Sequence, residues 1–167
     1  GIKLTNVVVP AVNRLGPLGD AFNAISLPMR RVEDALSATK SAGAMRHRFR
    51  LLCRAATNIA DPTAEMEGAL GRLSAMAEAM SAIGVRAAEL LDSGRDDIDE
   101  TISALAASAR EVGKFVEGEV EAFINAWDIE VSDDLAVANR DLVKSLGIAA
   151  TARDLQAQKR GKALLNE

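Results

Sequence analysis

Apolar residues recur at helical spacing along four long segments of this chain. In the clearest segment, which begins near Pro62 and ends near Ser93, the spacing alternates between three and four residues. The positions are Met66, Ala69, Leu73, Met76, Met80, Ile83, Ala87 and Leu90. This repeat is typical of the seam along which helices pack in a left-handed coiled coil. The pattern therefore predicts a long amphipathic helix.

Two further segments each carry one apolar stripe. Residues 96–127 open with acidic residues, which the positive end of a helix dipole favours, and their stripe follows. That stripe is Ile98, Ile102, Leu105, Ala109, Val112, Val116 and Phe123. Ser132 is a suitable N-cap for a last helix that should reach toward Leu165. Its stripe is Leu135, Leu142, Leu146, Ala149, Ala152 and Leu155.

The segment from Pro28 to Ile59 has a less regular pattern. Its apolar residues are Met29, Val32, Leu36, Met45, Phe49, Leu52, Ala56 and Ile59. They follow helical spacing, but the stripe slips in phase near Gly43. We predict one helix here, and the slip indicates that it makes additional helix contacts.

Short connections join these predicted helices. Asp61 is a candidate N-cap with Pro62 at the first helical position, and Gly94 is suited to a position just past a helix end. Because short connections force neighbouring helices to run antiparallel, we predict an all-α, antiparallel up-and-down four-helix bundle over residues 28–167. Residues 1–27, which proline and glycine interrupt, should form a short helical extension that packs on this bundle within a single domain.

Composition supports a helical class. The chain has 49% apolar residues but only four Phe, one Trp and no Tyr, so alanine must supply much of the core. Small side chains suit close helix packing better than they suit a sheet. The net charge of −4 argues against a nucleic-acid partner. No apolar run approaches the roughly 18 residues of a transmembrane helix, so direct membrane insertion is not expected.

Most catalytic and metal-binding patterns are missing from the sequence. Cys53 is the single cysteine and His47 the single histidine, which are too few for a zinc site built from these ligands or for a ferritin-like di-iron site. No glycine-rich phosphate loop or nucleophile elbow is found. We therefore expect a protein that is not an enzyme and that has no catalytic residues, metal site or cofactor.

Charge differs strongly between the predicted helices. Residues 28–60 contain seven Lys or Arg against two acids, whereas residues 95–127 contain eight acids against three bases. Arg46, Arg50 and Arg54 recur every four residues and predict a basic stripe that could receive an anion or an acidic partner helix. The alternative is that these cations are solvated or face acids of the same bundle, such as Glu117 and Glu121.

His47 lies roughly 160° from the predicted buried face and should be exposed. The segment from His47 to Leu52, with Arg72 and Leu73 one helix later, resembles the phosphoacceptor hairpin of HWE-type histidine kinases. Arg50 and Leu51 stand where that family has lysine and asparagine. The resemblance implies phosphotransfer through His47.

Three classes of function are consistent with these features. The favoured one is a protein–protein interaction or structural assembly module that contacts another protein or a second copy of itself, using Arg46, His47, Arg50 and Arg54 as candidate binding residues. The alternatives are the four-helix ligand-binding domain of a bacterial receptor, with a small-molecule ligand, and a histidine phosphotransfer domain. We expect a cytoplasmic location for the first class, and an extracytoplasmic or secreted one for the receptor domain.

Overall fold

A computed structural model describes residues 3, 5–14, 16, 18–147 and 150–166, with the backbone alone for 150–153. Within these residues the chain is all-helical and contains no strand. Its five α-helices are α1 (Leu27–Ala56), α2 (Ala64–Asp92), α3 (Asp99–Ala126), α4 (Asp133–Gly147) and α5 (Ala150–Leu164). The predicted all-α class is therefore confirmed.

The N-terminal part of the chain contains little regular structure. A short 3-10 turn spans Ala11–Asn13, and a π-helical turn at Phe22–Ser26 leads directly into α1. The described residues before position 20 are exposed.

Helix α2 begins and packs largely as its sequence pattern predicts. It starts at Ala64, where Thr63 is the N-cap because its Oγ1 accepts a hydrogen bond of 3.2 Å from the Met66 backbone N–H. The predicted cap, Asp61, lies in the connection before it. All eight predicted seam positions are buried or half-buried, so this side of α2 faces the interior as predicted.

The three long helices alternate in direction. Thr39 and Arg46 of α1 contact Gly84 and Glu78 of α2, so these two helices are antiparallel. Arg31 near the start of α1 forms an ion pair with Asp99 at the start of α3. Arg48, farther along α1, lies near Glu117, so α1 and α3 run in the same direction.

The last predicted helix corresponds to α4 and α5, which lie on either side of residues 148 and 149, two positions outside the described residues. In α4, Leu135, Leu142 and Leu146 are buried as predicted, whereas Leu155 in α5 is exposed. Ala149 and the side chain of Ala152 lie outside the described residues. Leu146 packs against Gly113 near the middle of α3, so α4 returns along α3 for only part of its length.

The interior consists of two apolar clusters. The first joins the second half of α1 to α2, α3 and α4, and includes Met45, Leu52, Phe123, Leu135 and Leu142. The second lies between the first half of α1, α2 and α3 and is rich in alanine. Because no α4 residue belongs to the second cluster, α4 covers only one end of the three-helix core.

Candidate functional site

All four predicted binding residues lie in the second half of α1 and are exposed, namely Arg46, His47, Arg50 and Arg54. They differ in whether another group of the protein already pairs with the side chain. Arg46 donates a hydrogen bond of 2.9 Å from Nη2 to Oε1 of Glu78 on α2. The Nε of Arg50 lies 3.4 Å from the backbone oxygen of Arg46. Among the described residues, Arg50 and Arg54 form no ion pair, so they keep positive charge available for a partner.

A shallow groove lies beside this basic region, between α1 and α2. Its volume is about 400 Å³, and its lining residues are Arg46, Phe49, Arg50, Ser74, Ala77 and Glu78. Because Glu78 already neutralises Arg46, the groove presents one uncompensated guanidinium, that of Arg50. A single exposed cation beside an open groove holds a small anion weakly.

The His47 imidazole is exposed, as its position on the helix predicts. It forms no hydrogen bond or ion pair within the part of the chain that the structure describes. A phosphotransfer histidine must be accessible in this way. Every surface residue is accessible too, so exposure alone does not distinguish His47 as a phosphotransfer residue. The half-buried Cys53 is one turn and a half farther along α1, and burial raises the pKa of its thiol above the ordinary value. The thiol is therefore protonated, and a poor nucleophile, near neutral pH.

Arg48 is a cation that the sequence pattern did not single out. Its exposed fraction is 3%, and neither Nε nor Nη1 has a hydrogen-bond partner. Burial lowers the pKa of its guanidinium, although the charges of Glu117 and Glu121 oppose this effect. The signal was present in the sequence, because Arg48 falls between Met45 and Leu52 in steps of three and four residues.

Arg110 of α3 is a second buried cation, and its environment is different. Its Nε donates a hydrogen bond of 3.0 Å to the backbone oxygen of Leu146, in the last turn of α4. Its Nη1 lies 3.7 Å from the Asp154 carboxylate of α5. A cation is favourable at this end of α4 because carbonyl groups there lack helical partners. Arg110 therefore has a structural role in holding α4 and α5 on α3.

The predicted apolar stripe of α1 is buried only in its second half. Met29, Val32 and Leu36 are exposed, by 55%, 41% and 60%, so their predicted burial is wrong. The interior positions at this level are Ala35, Ala38 and Ala42. The slip in phase near Gly43 marks this change: before it, the large apolar side chains of α1 point away from α2 and α3.

The exposed apolar and basic residues form one line along α1 and the π-helical turn that precedes it, which we name the α1 outer face. It consists of Phe22, Ile25, Met29, Val32, Leu36, Lys40, Gly43, His47, Arg50 and Arg54. Consecutive members are three or four residues apart, and all except the half-buried Ile25 are exposed. Since this spacing keeps residues on one side of a helix, the face is continuous from an apolar half to a basic half.

Comparison with known protein families, with curated proteins and with solved structures finds no match for this chain. None of the described helices has both the length and the apolar character that a membrane span requires.

Proposed function

We propose that this protein is a non-enzymatic interaction module whose docking surface is the α1 outer face. The observation that carries the proposal is the exposed apolar half of this face, at Phe22, Met29, Val32 and Leu36. Full burial of such a side chain contributes about 1.5–3 kcal/mol, and contiguous exposed apolar patches are typical of interaction sites. A partner that covers this half would therefore gain several kcal/mol of favourable free energy.

The proposed scaffold for this surface is an antiparallel bundle of α1, α2, α3 and α4. The contacts between α1 and α2 and the return of α4 along α3 support this arrangement. Because α4 residues belong to the first cluster and none to the second, α4 packs at one end of this proposed bundle, and we name the other end the three-helix end. The three-helix end is where the apolar half of the α1 outer face is exposed.

A photo-crosslinking amino acid at position 36, in the cells that produce the protein, tests this proposal. We expect an adduct of defined mass from position 36, and its loss when Met29→Lys is added. The matched control is the same crosslinker at position 85, because Val85 on α2 is 58% exposed and lies off the outer face. An adduct pattern that is the same at positions 36 and 85 would refute the proposed docking surface.

A further inference from the structure

Resting on the proposed function, we infer that the partner on the α1 outer face is an acidic amphipathic helix that runs antiparallel to α1. Its N-terminal half would carry carboxylates opposite the basic half of the face. Its C-terminal half would carry apolar residues opposite Phe22 to Leu36. Four observations support this partner: the charge of the face, its linear shape, the polarity of α1 and the order of its two halves.

The basic half of the face lacks internal compensation. Residues 37–56 contain no Asp or Glu. Arg46 is already paired with Glu78 and lies beside the face, whereas Lys40, Arg50 and Arg54 form no ion pair with any described residue. Three uncompensated cations on one side of a helix create a local positive potential, and complementary charge on a partner fixes its register. Carboxylates are therefore the groups expected opposite this half.

The shape of the face fits a helix. Its members recur every three or four residues from position 22 to position 54, which keeps them on one side of a helix. At 1.5 Å per residue this is roughly 50 Å, the length of a partner helix of about 30 residues. A narrow, straight line of this length offers an extended contact to a helix and only a small contact to a globular surface.

The helix dipole selects the orientation. The basic half lies in the C-terminal half of α1, whose end carries a partial negative charge. In an antiparallel pair, the positive N-terminal end of the partner lies beside this end. Acidic residues are also most favourable near the N-terminus of their own helix. Both effects place the carboxylates of the partner opposite Arg50 and Arg54 in the antiparallel orientation.

A second copy of the chain does not fit the whole face. Two outer faces packed in parallel would bring Lys40, Arg50 and Arg54 of one copy against the same cations of the other. Full antiparallel overlap would put the apolar half of one copy against the basic half of the other, which would desolvate cations without pairing them. Only an offset dimer of the apolar halves avoids both costs, and it would leave the basic half uncovered.

A membrane surface is also a poorer fit. A helix that lies on a bilayer has its apolar and basic residues on different sides of its circumference, so that one side is buried and the other faces headgroups. On the α1 outer face the apolar and the basic residues lie on the same side of the helix, and the basic residues follow the apolar ones along its axis. A flat bilayer cannot bury Leu36 deeply without bringing His47 and Arg50 to a similar depth.

Two designed helical peptides of about 30 residues provide the test. The first has Glu in its N-terminal half and Leu at seam positions in its C-terminal half; the second has the same composition with the halves exchanged. Binding to the full chain is measured by fluorescence anisotropy at low and high salt. We expect the first peptide to bind about tenfold more tightly than the second, and its affinity to fall with salt.

Variants of the chain locate the contact. The double substitution of Arg50→Glu and Arg54→Glu should weaken binding of the first peptide about tenfold or more. Leu36→Lys should weaken binding of both peptides. The matched controls are Arg72→Glu and Val85→Lys, two exposed α2 positions off the face, which should leave both affinities unchanged. Circular dichroism checks that each variant remains helical.

Three outcomes would overturn the inference. Equal, salt-independent binding of the two peptides would mean that apolar contacts alone select the partner. A doubling of mass by light scattering that survives Arg50→Glu would identify an offset dimer. Tighter binding to phosphatidylglycerol vesicles than to the first peptide would identify a lipid surface. In each case a crosslink specific to position 36 would still support the proposed docking surface, so the two proposals fail separately.

Discussion

Arg48 lies in the interior of the first cluster, beside Met45 and Leu52, with two of its guanidinium nitrogens unpartnered. Burying a charge costs several kcal/mol unless close partners and hydrogen bonds compensate for the lost water. Glu117 and Glu121 lower this cost through space but do not hydrogen-bond to it. The side chain therefore lowers the stability of the fold relative to an apolar residue of similar length.

We predict that Arg48→Met raises the free energy of unfolding by about 1–3 kcal/mol, because it removes a buried charge that has no hydrogen-bond partner at Nε or Nη1 and keeps a long side chain. Urea denaturation followed by circular dichroism measures this change. Arg54→Met is the control, since an exposed substitution should stay within about 0.5 kcal/mol. A stability loss on Arg48→Met would show instead that the acids pair with the guanidinium in solution.

At the scale of single elements, the contact between α1 and α2 depends on small residues. A Cβ at Gly84 would lie 3.2 Å from Cα of Thr39 and 3.4 Å from Cβ of Ala42. The Thr39 hydroxyl also donates a 3.3 Å hydrogen bond to the Gly84 backbone oxygen. The two backbones therefore approach closely here, and the alanine-rich interior of the second cluster follows from this approach.

Two glycines of α2 should respond to substitution in opposite ways. Gly84→Leu should destabilise the protein by about 1–3 kcal/mol, because the added atoms meet the α1 backbone, which cannot move without separating the helices. Gly71→Ala should stabilise it by about 0.5–1 kcal/mol, because Gly71 is exposed within the same helix and an added Cβ has nothing within 4 Å. Thermal and urea unfolding measure both changes. Equal effects of the two substitutions would contradict the close approach at Gly84.

At the scale of the whole molecule, the two ends of the core differ in the size of their side chains. The cluster that includes α4 contains Phe123, Leu52, Leu135 and Leu142, whereas five of the nine buried residues of the other cluster are alanine. Burial free energy grows with the apolar area removed from water, so the end with α4 contributes more stability. The three-helix end is therefore the weaker part of the fold.

Hydrogen exchange should reveal this difference within one helix. We predict that backbone amides of residues 35–42 exchange at least about tenfold faster than those of residues 45–52, because local opening costs less where few large side chains pack. Mass spectrometry or NMR measures the rates. Residues 80–87 of α2, which face the same alanine-rich cluster, provide the comparison. Uniform protection along α1 would mean that the helix opens only with the whole molecule.

The sequence alone determined the helical class and most of the long helices. The three-and-four spacing from Met66 to Leu90 predicted the interior side of α2 correctly, and the stripes of α3 and of α4 up to Leu146 were equally informative. The sequence also indicated that His47, Arg50 and Arg54 are exposed. These features follow from local periodicity and helix propensity, which need no knowledge of distant neighbours.

Only the tertiary structure decided which side of α1 is interior before Gly43. Apolar periodicity predicted that Met29, Val32 and Leu36 are buried. The close approach of α1 to α2 instead requires small residues in the interior, and Ala35, Ala38 and Ala42 are buried there. Met29, Val32 and Leu36 lie on the opposite side of α1, in line with the exposed Lys40, His47 and Arg50, and neighbouring helices buried Arg48. Whether a helix residue is buried depends on which neighbouring helix packs against its side of the helix. These contacts join segments that are distant in the sequence, so the pattern of one segment does not encode them.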